Sequence, residues 1–113
     1  AAIALVFIDA NTAHFTWRGN VRIYRSEQAK TKLLTTDHSL DAGYGKQLFT
    51  RCIKGKGVRL DWPYRVLSVK AGCKLILCTD GLYKQLGLKQ LFTTQLPILG
   101  EFEDDASMIR IEI

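Results

Sequence analysis

The chain has 113 residues, 47% of them hydrophobic and 24% charged, a balance that suits one globular domain over 1–113 and excludes a disordered tail. Sixteen Lys and Arg against eleven Asp and Glu leave a net charge of +5, which favours acidic partners without choosing among nucleic acid, phosphoprotein and anionic membrane. The three cysteines lack metal-binding spacing, and the apolar opening 1–8 has no basic flank and is too short to span a bilayer, so buried thiols in a cytoplasmic, non-membrane protein are expected.

The two opening alanines, with no Met before them, read as a boundary set by processing or excision. Residues 3–8 and 14–17 are β-rich runs parted by Asp9, Asn11 and Thr12, and predict a hairpin. Gly19 and Asn20 offer a second tight connection into an alternating run over 21–25, and 32–35 can pair as a further strand. The first third therefore reads as an antiparallel meander. Over 41–57 the strand pattern lapses, and Leu48, Cys52 and Ile53 lie on one side of a possible short helix at 46–53. Trp62 and Pro63 precede two strands, 65–69 and 74–79, joined at Ala71 and Gly72. The second is the most apolar run in the chain and is expected near the middle of a sheet. Leu82, Leu86, Leu88, Leu91 and Phe92 recur near helical spacing, predicting one or two short helices over 82–96, interrupted at Gly87 and stopped by Pro97. An acidic loop at 101–105 leads into the last strand, 107–113.

Two carboxylates stand where a strand meets a loop: Asp80 after the apolar run and Asp104 before the last strand. Neighbouring strands would let them share a hard divalent ion, since Mg²⁺ and Mn²⁺ favour carboxylate oxygen. The plainer reading is a turn aspartate before Gly81 and an exposed acidic loop.

Five segments taken in order carry a resemblance. Gly-Asn-Val-Arg-Ile-Tyr at 19–24 is similar to the Gly-Asp-Ser-Arg-x-Tyr turn of the metal-dependent type 2C serine/threonine phosphatases. Leu-Thr-Thr-Asp-His-Ser at 34–39 resembles their Leu-Thr-x-Asp-His-Ser segment, and Thr50-Arg51 their Thr-Arg before a short loop. Cys-Thr-Asp-Gly-Leu at 78–82 is similar to their Cys-Ser-Asp-Gly-Leu, and Asp-Asp-Ala-Ser at 104–107 to their Asp-Asn-x-Thr. The resemblance covers nearly the whole chain and corresponds to the C-terminal half of the family's domain. It implies an α+β fold, an antiparallel β-sandwich-like sheet with short helices on the outer face, and a binuclear Mg²⁺ or Mn²⁺ centre whose bridging water attacks a phosphoester. Asp80 and Asp104 match metal ligands of that centre.

The departures bear equally on function. The family's Asp-Gly-x-Gly-Gly ligand segment, its first acidic ligand and its phosphate-binding Arg have no counterpart in this sequence. Asn20 stands where the family has an Asp associated with an additional metal, and Cys73 replaces an Asp common before Asp80. Two carboxylates hold two metals poorly, so Mg²⁺ or Mn²⁺ is expected to bind this chain alone weakly or not at all. His14 and His38 invite a general acid–base role, but no feature of the sequence sets a leaving oxygen beside them, and His38 reads as structural. Ser39 lacks a nucleophile elbow, and Gly43-Tyr-Gly-Lys46 is too short for a phosphate loop. Lys54, Lys56 and Arg59 read as a solvated hairpin end.

The expected function is a truncated type 2C phosphatase-like module, non-catalytic alone and acting through protein association, as a homodimer or with a complementary chain, and with phosphoprotein as a further partner. Two alternatives stay open. One is an active Mg²⁺- or Mn²⁺-dependent phosphoserine/phosphothreonine phosphatase completed by further N-terminal sequence. The other is a nucleic-acid-binding module, built on Trp17, Tyr24, Trp62, Tyr64 and Tyr83 with Arg18, Arg22 and Arg65. Self-association is expected to use Ile3, Leu5, Phe7, Phe15 and Trp17, on the ground that half a two-layer fold leaves edges and an apolar face uncovered.

Overall fold

A computed structural model describes residues 2–28, 30–43, 46–49, 62–93 and 105–113. Nine strands and two short helices are found among them: β1 (Ile3–Asp9), β2 (Thr12–Arg18), β3 (Arg22–Glu27), β4 (Lys30–Leu33), β5 (Ser39–Gly43), β6 (Lys46–Phe49), β7 (Tyr64–Ser68), β8 (Lys74–Cys78), α1 (Asp80–Tyr83), α2 (Leu88–Thr93) and β9 (Met108–Glu112). The architecture is thus mostly antiparallel sheet with few short helices. No helix among the described residues is long and apolar enough to cross a membrane.

The strands form three sheets, ordered β1-β2-β7, β4-β3-β8-β9 and β5-β6. The first hairpin forms as expected, with Asp9 opposite Thr12 and Ile3 opposite Arg18. The meander does not. β2 pairs with β7 instead of β3, placing His14 opposite Val66 and Ala13 opposite Leu67. Gly19, at φ 95°, turns the chain from one sheet to the next, a backbone conformation that glycine adopts without a Cβ clash. The possible helix over 46–53 is corrected at its start, since Lys46–Phe49 pairs as a strand with Ser39–Gly43. Residues 50–53 lie outside the described residues, as do 94–96 at the end of the expected helical stretch.

Alternation decides which side chains meet. In β2, Ala13, Phe15 and Trp17 point inward, and in β3 and β8 so do Ile23 and Leu75; with Val21, Leu34, Val69 and Cys73 they form one core shared by the two larger sheets. Each large apolar side chain so buried contributes about 1.5–3 kcal/mol. The opposite face of β3 and β8 presents Tyr24, Ile76 and Cys78, which α1 and α2 cover with Leu82 and Leu91. The expected packing of these helices on one face is therefore found. β8 lies inside its sheet, as its apolar run implied.

The opposite face of β1, β2 and β7 has no such cover among the described residues. Leu5, Phe7, Tyr64 and Val66 are 52%, 66%, 64% and 52% exposed there. Phe15 and Trp17, expected on an association surface, are instead in the core, at 2% and 4% exposure. They alternate out of phase with Phe7's cross-strand partner, His14.

Candidate metal site and its support

β8 ends at Cys78, and two residues later the chain reaches Asp80, the first residue of α1. Because β8 is interior and apolar, the first carboxylate after it emerges at the rim of the core, with its side chain 26% exposed. Asp80 Oδ2 lies 3.6 Å from Lys84 Nζ, one helical turn on. Such a loose, partly exposed pair holds its carboxylate weakly, leaving oxygen that a hard cation can take.

Thr79 ties this corner to the strand that follows in space. Its amide donates to Ser107 O at 3.1 Å, and the Ser107 amide donates to Thr79 Oγ1 at 2.9 Å. The hydroxyl therefore accepts from the approach to β9 instead of capping α1. Asp104, the second expected ligand, lies outside the described residues. Among the described residues, no group of three or more His, Cys, Asp and Glu side chains comes together.

Behind Asp80 stands a charged cluster that joins two of the resembling segments, 19–24 and 34–39, to Tyr83, the residue that follows a third. Arg22 donates through Nε to Asp37 Oδ1 at 3.0 Å and through Nη2 to Asp37 Oδ2 at 2.7 Å, while Nη1 donates to the Tyr24 hydroxyl at 2.9 Å. Its guanidinium carbon lies 3.8 Å from the Tyr83 ring centre. The Tyr83 hydroxyl in turn donates to Asn20 O at 2.7 Å. The α1 turn that begins with Asp80 is thereby clamped to the Asn20 turn. Hydrogen bonding to Asp37 drives the Arg22 pKa further above its ordinary value, and burial raises those of Tyr83 and Tyr24. The cluster keeps Arg22 charged and both phenols neutral.

The other candidates have structural positions. His38 is buried, accepts from the Gly19 amide at Nδ1 and stacks on Trp17 at 6.0 Å, which agrees with a structural role. His14 shares a hydrogen bond with the Tyr64 hydroxyl on the exposed sheet face. Trp17 and Tyr24 are buried, Arg18 lies over Trp62 and Arg22 over Tyr83, so the five aromatics do not form one open stacking face. Cys73 and Cys78 are buried free thiols, and burial holds the Cys78 thiol up at about 12. Lys54, Lys56, Arg59, Thr50 and Arg51 lie outside the described residues. Tyr83 stood in the sequence only as one aromatic of a stacking platform; its bond to Asn20 was not legible, because no local pattern links the two. Arg22 and Asp37 were visible in their motifs, but not as partners.

No protein-family profile matches the sequence, and no curated protein matches it. Solved structures do. The chain is similar to PppA, a key regulatory component of T6SS in Pseudomonas aeruginosa, at 27% identity and a TM-score of 0.68, over 80% of this chain and 40% of that one. It is similar to the S. agalactiae serine/threonine phosphatase at 25% identity and a TM-score of 0.69, over 87% and 47%. The catalytic domain of the serine/threonine phosphatase PstP, solved in complex with two manganese ions, matches at 17% identity and a TM-score of 0.66, over 80% and 42%. The chain spans less than half the length of each. Its described residues have the fold of part of a type 2C serine/threonine phosphatase domain.

Proposed function

We propose that the chain is a type 2C phosphatase-like module that does not hydrolyse phosphoesters alone and acts in association with a second polypeptide surface. The apolar face of β1, β2 and β7, which no element among the described residues covers, carries this reading: four large side chains each more than half exposed are unusual on a free monomer. A second copy is the simplest cover, because a two-fold arrangement buries the same patch twice. A complementary chain is the other, and the matched phosphatases contain more than twice the length that this chain covers. The buried thiols suit a reducing compartment such as the cytoplasm.

In this reading Asp80 and Asp104 are the residues that hold Mg²⁺ or Mn²⁺. The open carboxylate at Asp80 fits a hard cation, which when bound offsets charge on phosphoryl oxygens and acidifies water. Asn20, a neutral amide, adds little charge to such a site. The manganese-bound PstP neighbour favours a second reading, in which a partner segment bearing further carboxylates completes an active phosphatase for phosphoserine and phosphothreonine.

Calorimetric titration with Mn²⁺, sedimentation equilibrium and an assay with p-nitrophenyl phosphate test the proposal together. Weak Mn²⁺ binding lost in Asp80→Asn, no turnover, and a mass above that of one chain are expected. Mn²⁺-dependent turnover by a strictly monomeric chain would refute it.

A further inference from the structure

The end of β3 and β8 remote from Asp80 holds a second polar feature. Arg25, Glu27, Gln28, Lys30, Lys32 and Lys70 line an open cleft of about 300 Å³. It lies away from the candidate metal site: Arg22 pairs with Cys78 at one end of the ladder and Ser26 with Lys74 at the other. Four residues of strand separate the two ends by roughly 13 Å.

The charges in the cleft are placed at a cost. Arg25 stands directly opposite Lys32 and Glu27 opposite Lys30 in the β3–β4 register, so all four occupy one sheet face. The cost falls on Arg25 and Lys32, since like charges directly opposite destabilise a strand pair. Glu27 forms its ion pair with Arg25, on its own strand. None of Lys30, Lys32 and Lys70 has an ion-pair partner among the described residues. Among the described residues four cations therefore face one carboxylate, an excess of three positive charges in a single concavity. Lysines on an edge strand such as β4 deter pairing with other sheets, which accounts for Lys30 and Lys32. It does not account for Lys70, which comes from the connection between β7 and β8.

We infer that this cleft binds a phosphoryl group, supplied either as a phosphorylated side chain of a protein or as a small free polyphosphate. Three flexible ammonium groups around a small open volume suit a compact multiply charged anion. A nucleic-acid track would instead need a longer groove with stacking aromatics, and no aromatic side chain among the described residues lines the cleft. The inference stands independently of metal binding at Asp80.

The test is calorimetric titration of the chelator-treated chain with pyrophosphate, a phosphoserine peptide, its unphosphorylated twin and a single-stranded oligonucleotide, at roughly 50 and 200 mM salt. Pyrophosphate binding identifies a free ion as sufficient, and phosphopeptide binding a protein source; either supports the inference. The triple variant Lys30→Ala/Lys32→Ala/Lys70→Ala is expected to bind about tenfold more weakly, from three exposed charge contacts. Asp80→Asn should bind the anion like the unaltered chain. Circular dichroism of the triple variant checks its fold. If that variant does not fold, the single variant Lys70→Ala, outside the strands, decides in its place by a smaller loss. Absence of binding at low salt overturns the inference. So does equal affinity for the unphosphorylated peptide, preference for the oligonucleotide, or an equal loss in Lys54→Ala/Lys56→Ala/Arg59→Ala, which removes the same net charge elsewhere in sequence.

Discussion

Arg22 and Asp37 meet fork to fork, with both carboxylate oxygens accepting from one guanidinium at 3.0 and 2.7 Å. The side chains are 27% and 24% exposed, so the pair is shielded without being fully dry. Asp37→Ala leaves a partly buried guanidinium unmatched on that side and is expected to cost about 2 kcal/mol, the range for hydrogen bonds to charged groups. Arg22→Lys keeps the charge but loses the paired geometry, and should recover only part of that stability. Urea unfolding at neutral pH measures both.

Ala10 sits at φ 52° in the β1–β2 turn, a left-handed conformation that costs a residue with a Cβ roughly 1 kcal/mol. Ala10→Gly removes that strain, although glycine also gains freedom in the unfolded chain. A net gain of about 0.5 kcal/mol in urea unfolding is expected. A loss would show that the turn is not strained.

Phe7 and Phe15 lie in paired strands and point to opposite faces. Phe15→Ala should cost about 3–5 kcal/mol by opening a cavity between the sheets. Phe7→Lys should leave folding stability within about 0.5 kcal/mol, as for an ordinary surface change, while weakening self-association. Unfolding curves and sedimentation equilibrium across a hundredfold range of concentration separate the two effects. Unchanged association in Phe7→Lys would move the interface elsewhere.

Stability should fall at alkaline pH. Burial raises the Cys78 thiol from 9.0 to about 12. The unfolded chain therefore loses this proton first as pH rises above about 9, which favours unfolding until the folded thiol also ionises near pH 12. Burial raises Cys73, Tyr24 and Tyr83 as well, so they act in the same direction. Urea midpoints under reducing conditions should decline from pH 9 upward, and less steeply in Cys78→Ala. A flat profile would contradict the buried neutral thiol.

Asn20 is 6% exposed, and its carbonyl is held by Tyr83 from the turn that carries Asp80. Asn20→Asp places an added carboxylate there, at a desolvation cost of about 1–3 kcal/mol when no cation is present. Mn²⁺ should reverse that loss and bind more tightly than to the unaltered chain. Thermal unfolding with and without Mn²⁺ reads both effects. An equal loss under the two conditions would separate Asn20 from the metal site.

Residues 74–78 read as an interior strand because their apolar content is nearly continuous, and β8 is buried on both faces. Leu82 and Leu91 read as one helical stripe, and both reach zero or near-zero exposure. Asp80 was legible as a rim carboxylate for the same reason: a polar residue directly after a buried strand has to emerge at an edge. These features depend on local periodicity, which the order of residues determines by itself. The partition of residues 3–33 between two sheets was not legible. Period-two alternation says that Phe7 and Phe15 belong to strands, but which face meets a core depends on where β7 and β8 come to lie, more than forty residues later. Residues 46–49 show the same limit: a short run that fits one helical turn became a strand because β5 supplied hydrogen-bond partners. The clamp from Arg22 through Tyr83 to Asn20, and the meeting of Lys70 with Lys30 and Lys32, arise only when distant strands are brought into register. Charge and aromatic content are properties of the sequence, but their convergence at one place was decided by tertiary structure.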